Sequence, residues 1–242
     1  MAWVASDTGW YSYSDANGQA NGTMIALLLI ENGFSLESAC AALGNISKES
    51  GINPWAWEGN YLPSFQVPTV AEFESWTYQQ SLTHGYGLFG FTPANTYINQ
   101  TNSLRYALYG FSPHFRDHPG LPRDGEAQVR YALADSFSQN WTHGLYNQYQ
   151  TYFSQYGVDI NDFYWITYDQ FKVGTGYTIA QLTGAFELCW EKPGFSPAAS
   201  SYASRVENAE GFYQYFQTHP IVPTGSDEFD IMFYLKPQWK KY

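Results

Sequence analysis

The chain has 242 residues, long enough for one substantial domain and too short for two large ones. Its formal net charge is −11, with 11 Lys plus Arg against 22 Asp plus Glu, which excludes the basic face that a phosphate backbone needs, so nucleic acid is not expected as a partner. Aromatic residues reach 19% while charged ones stay at 14%, a balance suited to grooves that stack on flat faces and hydrogen-bond hydroxyls, although core filling accounts for most such side chains.

In chain order, Asp15 is positioned as an N-cap and the following residues mix polar and apolar in a helical manner to Asn32, with Gly33 ending the pattern. The run Met24 to Ile30 is too short to span a bilayer and reads as a core helix, and no membrane partner is expected. The N-terminus lacks the basic region and cleavage site of a signal peptide. Ser35 caps a second helix, in which Leu36, Ala39, Cys40, Leu43 and Ile46 form one buried stripe, and Gly51 stops it after Ser50. Glu49 therefore falls in the last helical turn, where the partial negative charge of the helix end and apolar burial both disfavour a charged carboxylate.

From Trp55 to Gln80 the pattern breaks into Pro, Gly, Asn and scattered aromatics, which predicts an irregular or hairpin-bearing lobe with a short helix near Val70 to Gln79. Helical character resumes after Pro93 through Tyr109, and a Pro-, Gly- and His-rich loop covers Phe111 to Pro122. Further helices are expected at Asp124 to Ala134, Thr142 to Tyr156, Thr178 to Cys189 and Ala198 to Phe216, which makes the fold mainly α. Residues 1–217 form one domain on this reading, and 218–242 a linker and a mildly basic amphipathic tail able to dock on a partner. Cys40 and Cys189 both sit in apolar helical patterns, where a buried free thiol is the commoner state than a disulfide.

The chemistry-bearing candidates are few. A glycosidase needs a carboxylic acid still protonated near neutral pH, usually a glutamate in an apolar pocket, and Glu49 fits by location. From spacing alone the simpler account is a solvated helix-end glutamate paired with Lys48 or another cation. His114 and His118 flank Asp117, but Pro113 and Pro119 bracket them and prevent the helix that would align two rings, so no metal and no cofactor is expected. Phosphate-binding loops and Ser or Cys nucleophile motifs are absent.

The motifs flanking Glu49 reverse the balance. The helix end Ala41-Ala42-Leu43-Gly44-Asn45, then Glu49-Ser50, Ile52-Asn53-Pro54 and Trp57, resembles the phage tail lysozyme family. So do Gly85-Tyr86-Gly87-Leu88, Thr92-Pro93-Ala94-Asn95 with Tyr97-Ile98-Asn99, and Trp190-Glu191-Lys192-Pro193, in that order and up to about Gln217.

The resemblance implies a lysozyme-like α+β fold of two lobes, with a small irregular or β-hairpin lobe and a C-terminal extension. It also implies a tail-associated hydrolase of peptidoglycan that opens the wall during phage DNA entry, delivered in the virion at the tail tip. Glu49 matches the catalytic acid, Thr92 a position that helps hold water on the far side of the sugar, and Asn45, Gly87 and Leu88 the cleft. Trp57, Tyr86 and Phe91 are the expected sugar-holding aromatics. Relatives usually carry Gln and Trp before Thr-Pro, where this chain has Gly90 and Phe91, so one hydrogen-bonding side chain is missing. Glu58 is the candidate second carboxylate, with a surface residue beside Gly59 as the competing account; Glu72 and Glu74 fall near the roof. Glu191 reads as structural, anchoring a turn or pairing with a base. An inactive wall-binding or structural tail protein and a lytic transglycosylase are the alternatives.

Overall fold

Asp15 and Ser35 open the first two helices as expected: the Asp15 carboxylate accepts from the Gly18 N–H, and the Ser35 hydroxyl from the Ser38 N–H. The computed structural model describes residues 3–4, 9–57, 85–91, 124–133 and 137–221. Helix α1 is Ala16–Glu31 and α2 is Leu36–Ser50, which Gly51 ends in the left-handed conformation at φ 57°. Asn32 is the C-cap of α1, with Gly33 one residue beyond at φ 86°, the position where glycine relieves a left-handed turn. Ile25 and Leu29 are fully buried, so the run from Met24 to Ile30 belongs to the core.

Then come α3 (Asp124–Tyr131), α4 (Phe137–Asn140), α5 (Tyr146–Phe153), α6 (Tyr168–Val173), α7 (Ile179–Phe186) and α8 (Phe195–Thr218). Three departures from the sequence reading have local causes. The helix expected from Thr142 starts only at Tyr146, since the Thr142 and Leu145 N–H groups are engaged by the Cys189 carbonyl and the Tyr164 hydroxyl, and it tightens into a 3₁₀ turn at Ser154–Tyr156, which Gly157 ends in the left-handed conformation. Helix α7, opened by the Thr178/Gln181 capping box, continues past Cys189 as a π-helical turn over Glu187–Glu191. Helix α6 has its own capping box, Thr167 with Gln170, but at six residues is too short to show a periodic stripe.

Helix α2 is the central element, flanked by α8, α7 and α1. Its approach to α8 depends on Gly44: a Cβ there would lie 2.3 Å from the Arg205 carbonyl oxygen and 2.7 Å from the Ala209 Cβ. Because the first obstacle is backbone, the helices must separate to admit even a methyl. Gly44→Ala is expected to cost about 1–3 kcal/mol, read as a lowered denaturant midpoint.

An aromatic stack fills the core beneath α2 and α7. Phe137 meets Phe34, Phe89, Phe186 and Trp190 edge-on, and Phe171 packs on Trp141 and Phe186, geometries that suit ring quadrupoles. Cys40 and Cys189 are free and buried. Burial pushes the Cys189 thiol up to about 12, and it lies 3.3 Å from the Tyr164 carbonyl oxygen.

The described structure is mainly helical. Its extended pairings are isolated bridges, Trp57 with Tyr86 and Tyr86 with Phe91, the latter closing a tight turn in which the Gly90 N–H donates to the Gly87 carbonyl at 3.0 Å. The lobe expected between Trp57 and Gly85, including the helix near 70–79, lies outside the described residues, as do the helix after Pro93, the His114/His118 loop and the tail beyond 221. No described helix is long and apolar enough to cross a membrane.

Candidate active site

The end of α2 and the turn 85–91 are joined by short polar bridges. Ser50 Oγ donates to the Leu88 carbonyl at 3.0 Å. Gln128 of α3 accepts from the Leu88 N–H at 2.7 Å and donates to the Pro54 carbonyl at 2.9 Å. Gly87 is needed for that contact: it sits at φ 80°, and a Cβ would lie 2.3 Å from Gln128 Oε1. Its open space is thus taken by Gln128.

These bridges seat the turn against Glu49 beside a cleft of about 380 Å³ lined by Glu49, Phe89, Gly90, Phe91, Trp190 and Glu191 together with Asn140, Lys192 and Pro193. The Glu49 side chain is 27% exposed, enough to reach a ligand while largely enclosed. Gly90, at φ 55°, leaves room for it: a Cβ there would lie 3.3 Å from Glu49 Oε2.

Glu49 does not sit in the purely apolar pocket that the sequence suggests. Arg205 of α8 donates from Nη2 to Glu49 Oε1 at 2.6 Å, from Nη1 to Asn45 Oδ1 at 3.0 Å, and from Nε toward Glu187 Oε1 at 3.0 Å. Lys48, the sequence-adjacent cation, is exposed. Arg205 itself is 4% exposed, and burial, which disfavours its charge, is outweighed by Glu187, Glu49 and Glu191, so its pKa is raised. Asn45 completes the clamp from below, donating to the Ala41 and Thr183 carbonyls at 2.9 and 3.1 Å.

Glu187 is fully buried, and burial pushes its carboxyl up to about 8 despite the lowering effects of Arg205 and the Ser201 hydroxyl; the charge of Glu49 raises it further. Its Oε2 has no hydrogen-bond partner. Glu191, read from the sequence as structural, lines the cleft instead. The residue after it, Lys192, adopts φ 51°, closes the π turn with its N–H on the Glu187 carbonyl at 2.8 Å, and donates Nζ to the Asn140 carbonyl at 2.5 Å. A π turn ending in a left-handed non-glycine residue is a strained arrangement of the kind that functional sites retain.

Of the substrate-contacting side chains expected from the sequence, Phe91 lines the cleft with Glu49. Asn45, Tyr86 and Leu88 are fully enclosed and Trp57 is 2% exposed, so they act from behind the surface. Tyr86 and Trp57 pack on Trp55 at ring separations of 5.6 and 5.9 Å, making an aromatic base for the turn, and Leu88 belongs to the core. Glu58 and Thr92 lie outside the described residues. Trp190 and the second glutamate, Glu191, were not found as cleft residues from the sequence, nor was Arg205 as the buried partner of Glu49. The available signal was the spacing of Glu187 and Glu191 on one helix ahead of a single arginine in the next. Among the described residues no group of three or more His, Cys, Asp or Glu could hold a metal ion.

A carboxyl projecting from a helix end into a cleft with aromatic walls defines a site for proton-transfer chemistry on a ligand with flat apolar faces and polar edges, as sugars have. The chain belongs to the phage tail lysozyme family, whose family model matches residues 20–216. It is therefore, at the level of the family, a phage tail peptidoglycan hydrolase of the lysozyme type.

Proposed function

We propose that the protein cleaves the β-1,4 bond between N-acetylmuramic acid and N-acetylglucosamine, with Glu49 as general acid, and opens the wall locally from the tail tip during DNA entry. The observation that carries this reading is the asymmetric hold on Glu49. Oε1 is fixed by Arg205, while Oε2 is on the side of Gly90 and the cleft. A proton on Oε2 is placed to pass to a glycosidic oxygen, and the carboxylate left behind is received by a guanidinium already in position, with no reorganisation at the moment of transfer. Phe91 and Trp190 supply flat walls for sugar faces, and Asn140 and Lys192 the polar rim. Glu58 and Thr92 remain the proposed second carboxylate and water-holding group, and the tail 218–242 the proposed contact to other tail proteins.

A second reading, a wall-binding tail protein without activity, is favoured by Gly90 standing where relatives usually carry Gln. Mass spectrometry of fragments from purified peptidoglycan separates the possibilities. Reducing muramic acid ends released by the wild type and not by Glu49→Gln are expected. Anhydro ends would make the protein a lytic transglycosylase, and binding without release would make it a wall-binding protein.

A further inference from the structure

Trp165 leaves 54% of its surface exposed, yet it is the most exposed ring of an ordered group and not a stray side chain. Tyr146 and His143 lie nearly parallel to it, at ring separations of 5.2 and 5.8 Å, and the fully buried Tyr164 meets it edge-on at 5.2 Å. Each support is itself tied down. The Tyr164 hydroxyl accepts from the Leu145 N–H at 2.8 Å, His143 Nε2 lies 3.3 Å from the Ile166 carbonyl oxygen, and the Tyr146 hydroxyl donates to Asn161 Oδ1 at 2.8 Å. Asn161, exposed, donates in turn to Asp159 Oδ1 at 2.9 Å. The group thus offers a flat ring held in one orientation, with hydroxyl, amide and carboxylate groups beside it, and folding alone gains little from an indole left in water.

Position and chemistry together name the occupant. Asn140, which lines the cleft, precedes His143 by three residues, a span of about 11 Å at most. The segment between them is pinned: the Thr142 N–H donates to the Cys189 carbonyl at 3.0 Å, and Trp141 Nε1 to the same Ile166 carbonyl that His143 approaches, at 2.9 Å. The cleft itself, at about 380 Å³, is near the small end of ligand pockets, which run from about 300 to 1,000 Å³, whereas a peptidoglycan strand is a polymer of sugars. Most of a bound strand therefore runs over the surface outside the cleft. A single indole beside Asn161 and Asp159 fits a sugar, which has an apolar ring face and hydroxyl edges, while protein and lipid partners bury wider apolar areas.

Resting on the reading that peptidoglycan is the substrate, but not on which group is the acid, we propose that Trp165, supported by Tyr146 and His143, is a second glycan-binding site that stacks on a strand whose other part occupies the cleft. Two sites on one strand bind together far more tightly than either does alone, because the second contact is made at high local concentration. The site acts on long strands and intact wall, and leaves fragments that fill only the cleft unaffected.

The test is cosedimentation with purified peptidoglycan sacculi, using Glu49→Gln as the background and adding Trp165→Ala or Trp165→Tyr, each checked for folding by thermal melting. The same Trp165 variants in the otherwise wild-type chain are assayed for kcat/KM on whole wall and on short soluble glycan fragments. Trp165→Ala should weaken wall binding about tenfold and lower kcat/KM on whole wall, with short fragments cleaved as before. Trp165→Tyr keeps a flat ring and should retain most of the binding. Wall binding unmoved by Trp165→Ala overturns the inference, and a loss of self-association in light scattering would then make the face a contact between copies. An equal loss on wall and on short fragments also overturns it, since Trp165 would then support the cleft. Wild-type protein that releases no fragments but binds wall through Trp165 would remove the cleavage reading and leave the second site standing.

Discussion

Glu49→Gln is expected to lose about 10²–10⁴-fold in the rate of wall lysis, the range that a positioned general acid contributes, while melting close to the wild type. The two halves of this expectation have separate physical sources. Glutamine can still accept from Arg205 through its amide oxygen, and Arg205 keeps its contacts to Asn45 and Glu187, so the clamp between α2 and α8 survives. What is lost is a proton that can leave Oε2 and a carboxylate that the guanidinium can receive. Turbidity clearance of purified walls, alongside a thermal melt of each protein, measures both halves; near-wild-type lysis would mean the proton comes from elsewhere.

Arg205→Met is the second large effect, and it falls on stability first. Removing one partner from a buried ion pair costs about 3–5 kcal/mol, because the carboxylates it served are left without compensation. Glu187 decides the pH dependence. Its carboxyl is pushed up to about 8 in the folded chain against an ordinary 4.5, so across that window the folded state holds a proton that the unfolded state has released. Its neutral form is therefore accommodated fully on the acid side, and its contribution to stability declines as pH rises through the window. Without Arg205 the Glu187 carboxyl is pushed higher still, and the two folded chains then differ in protonation only from about pH 8 upward, so the deficit of Arg205→Met should be level in acid and deepen as pH rises past about 8. Adding Glu187→Leu removes the buried carboxyl left without its partner and should recover much of the stability without restoring lysis. Denaturant melts of the two single variants and the double variant across the pH range give the coupling directly.

Much of this architecture was legible because it follows local rules. Asp15, Ser35 and Thr178 cap helices where their side chains reach free N–H groups, and Gly51 stops α2 by taking a conformation that other residues avoid, which fixes Glu49 in the last turn. The family motifs around that turn pointed to the right class of protein. What spacing did not carry was the identity of the groups facing Glu49, since they come from helices far along the chain. Arg205 lies in a stretch of α8 with Ser201 and Ser204, a pattern that reads as a solvated face, yet Gly44 brings that face against α2 and buries it. Glu191 reads as a turn anchor or the partner of a base because it follows an apolar helix; in the structure it ends the π turn and lines the cleft. Aromatic motif residues were misplaced for the opposite reason: Trp57 and Tyr86 have the right chemistry for sugars but are consumed in supporting the turn that carries Phe91.

The clamp also orders events during synthesis of the chain. Each described residue on the cleft wall, from Glu49 to Pro193, leaves the ribosome before Arg205, which follows Glu49 by 156 positions. A nascent or truncated chain ending ahead of α8 would carry the described cleft lining with no Arg205 guanidinium to hold its proposed acid. Competence would then arrive in a single step, when the last described helix docks, and proteolytic loss of that helix would disarm the protein while leaving its proposed acid untouched.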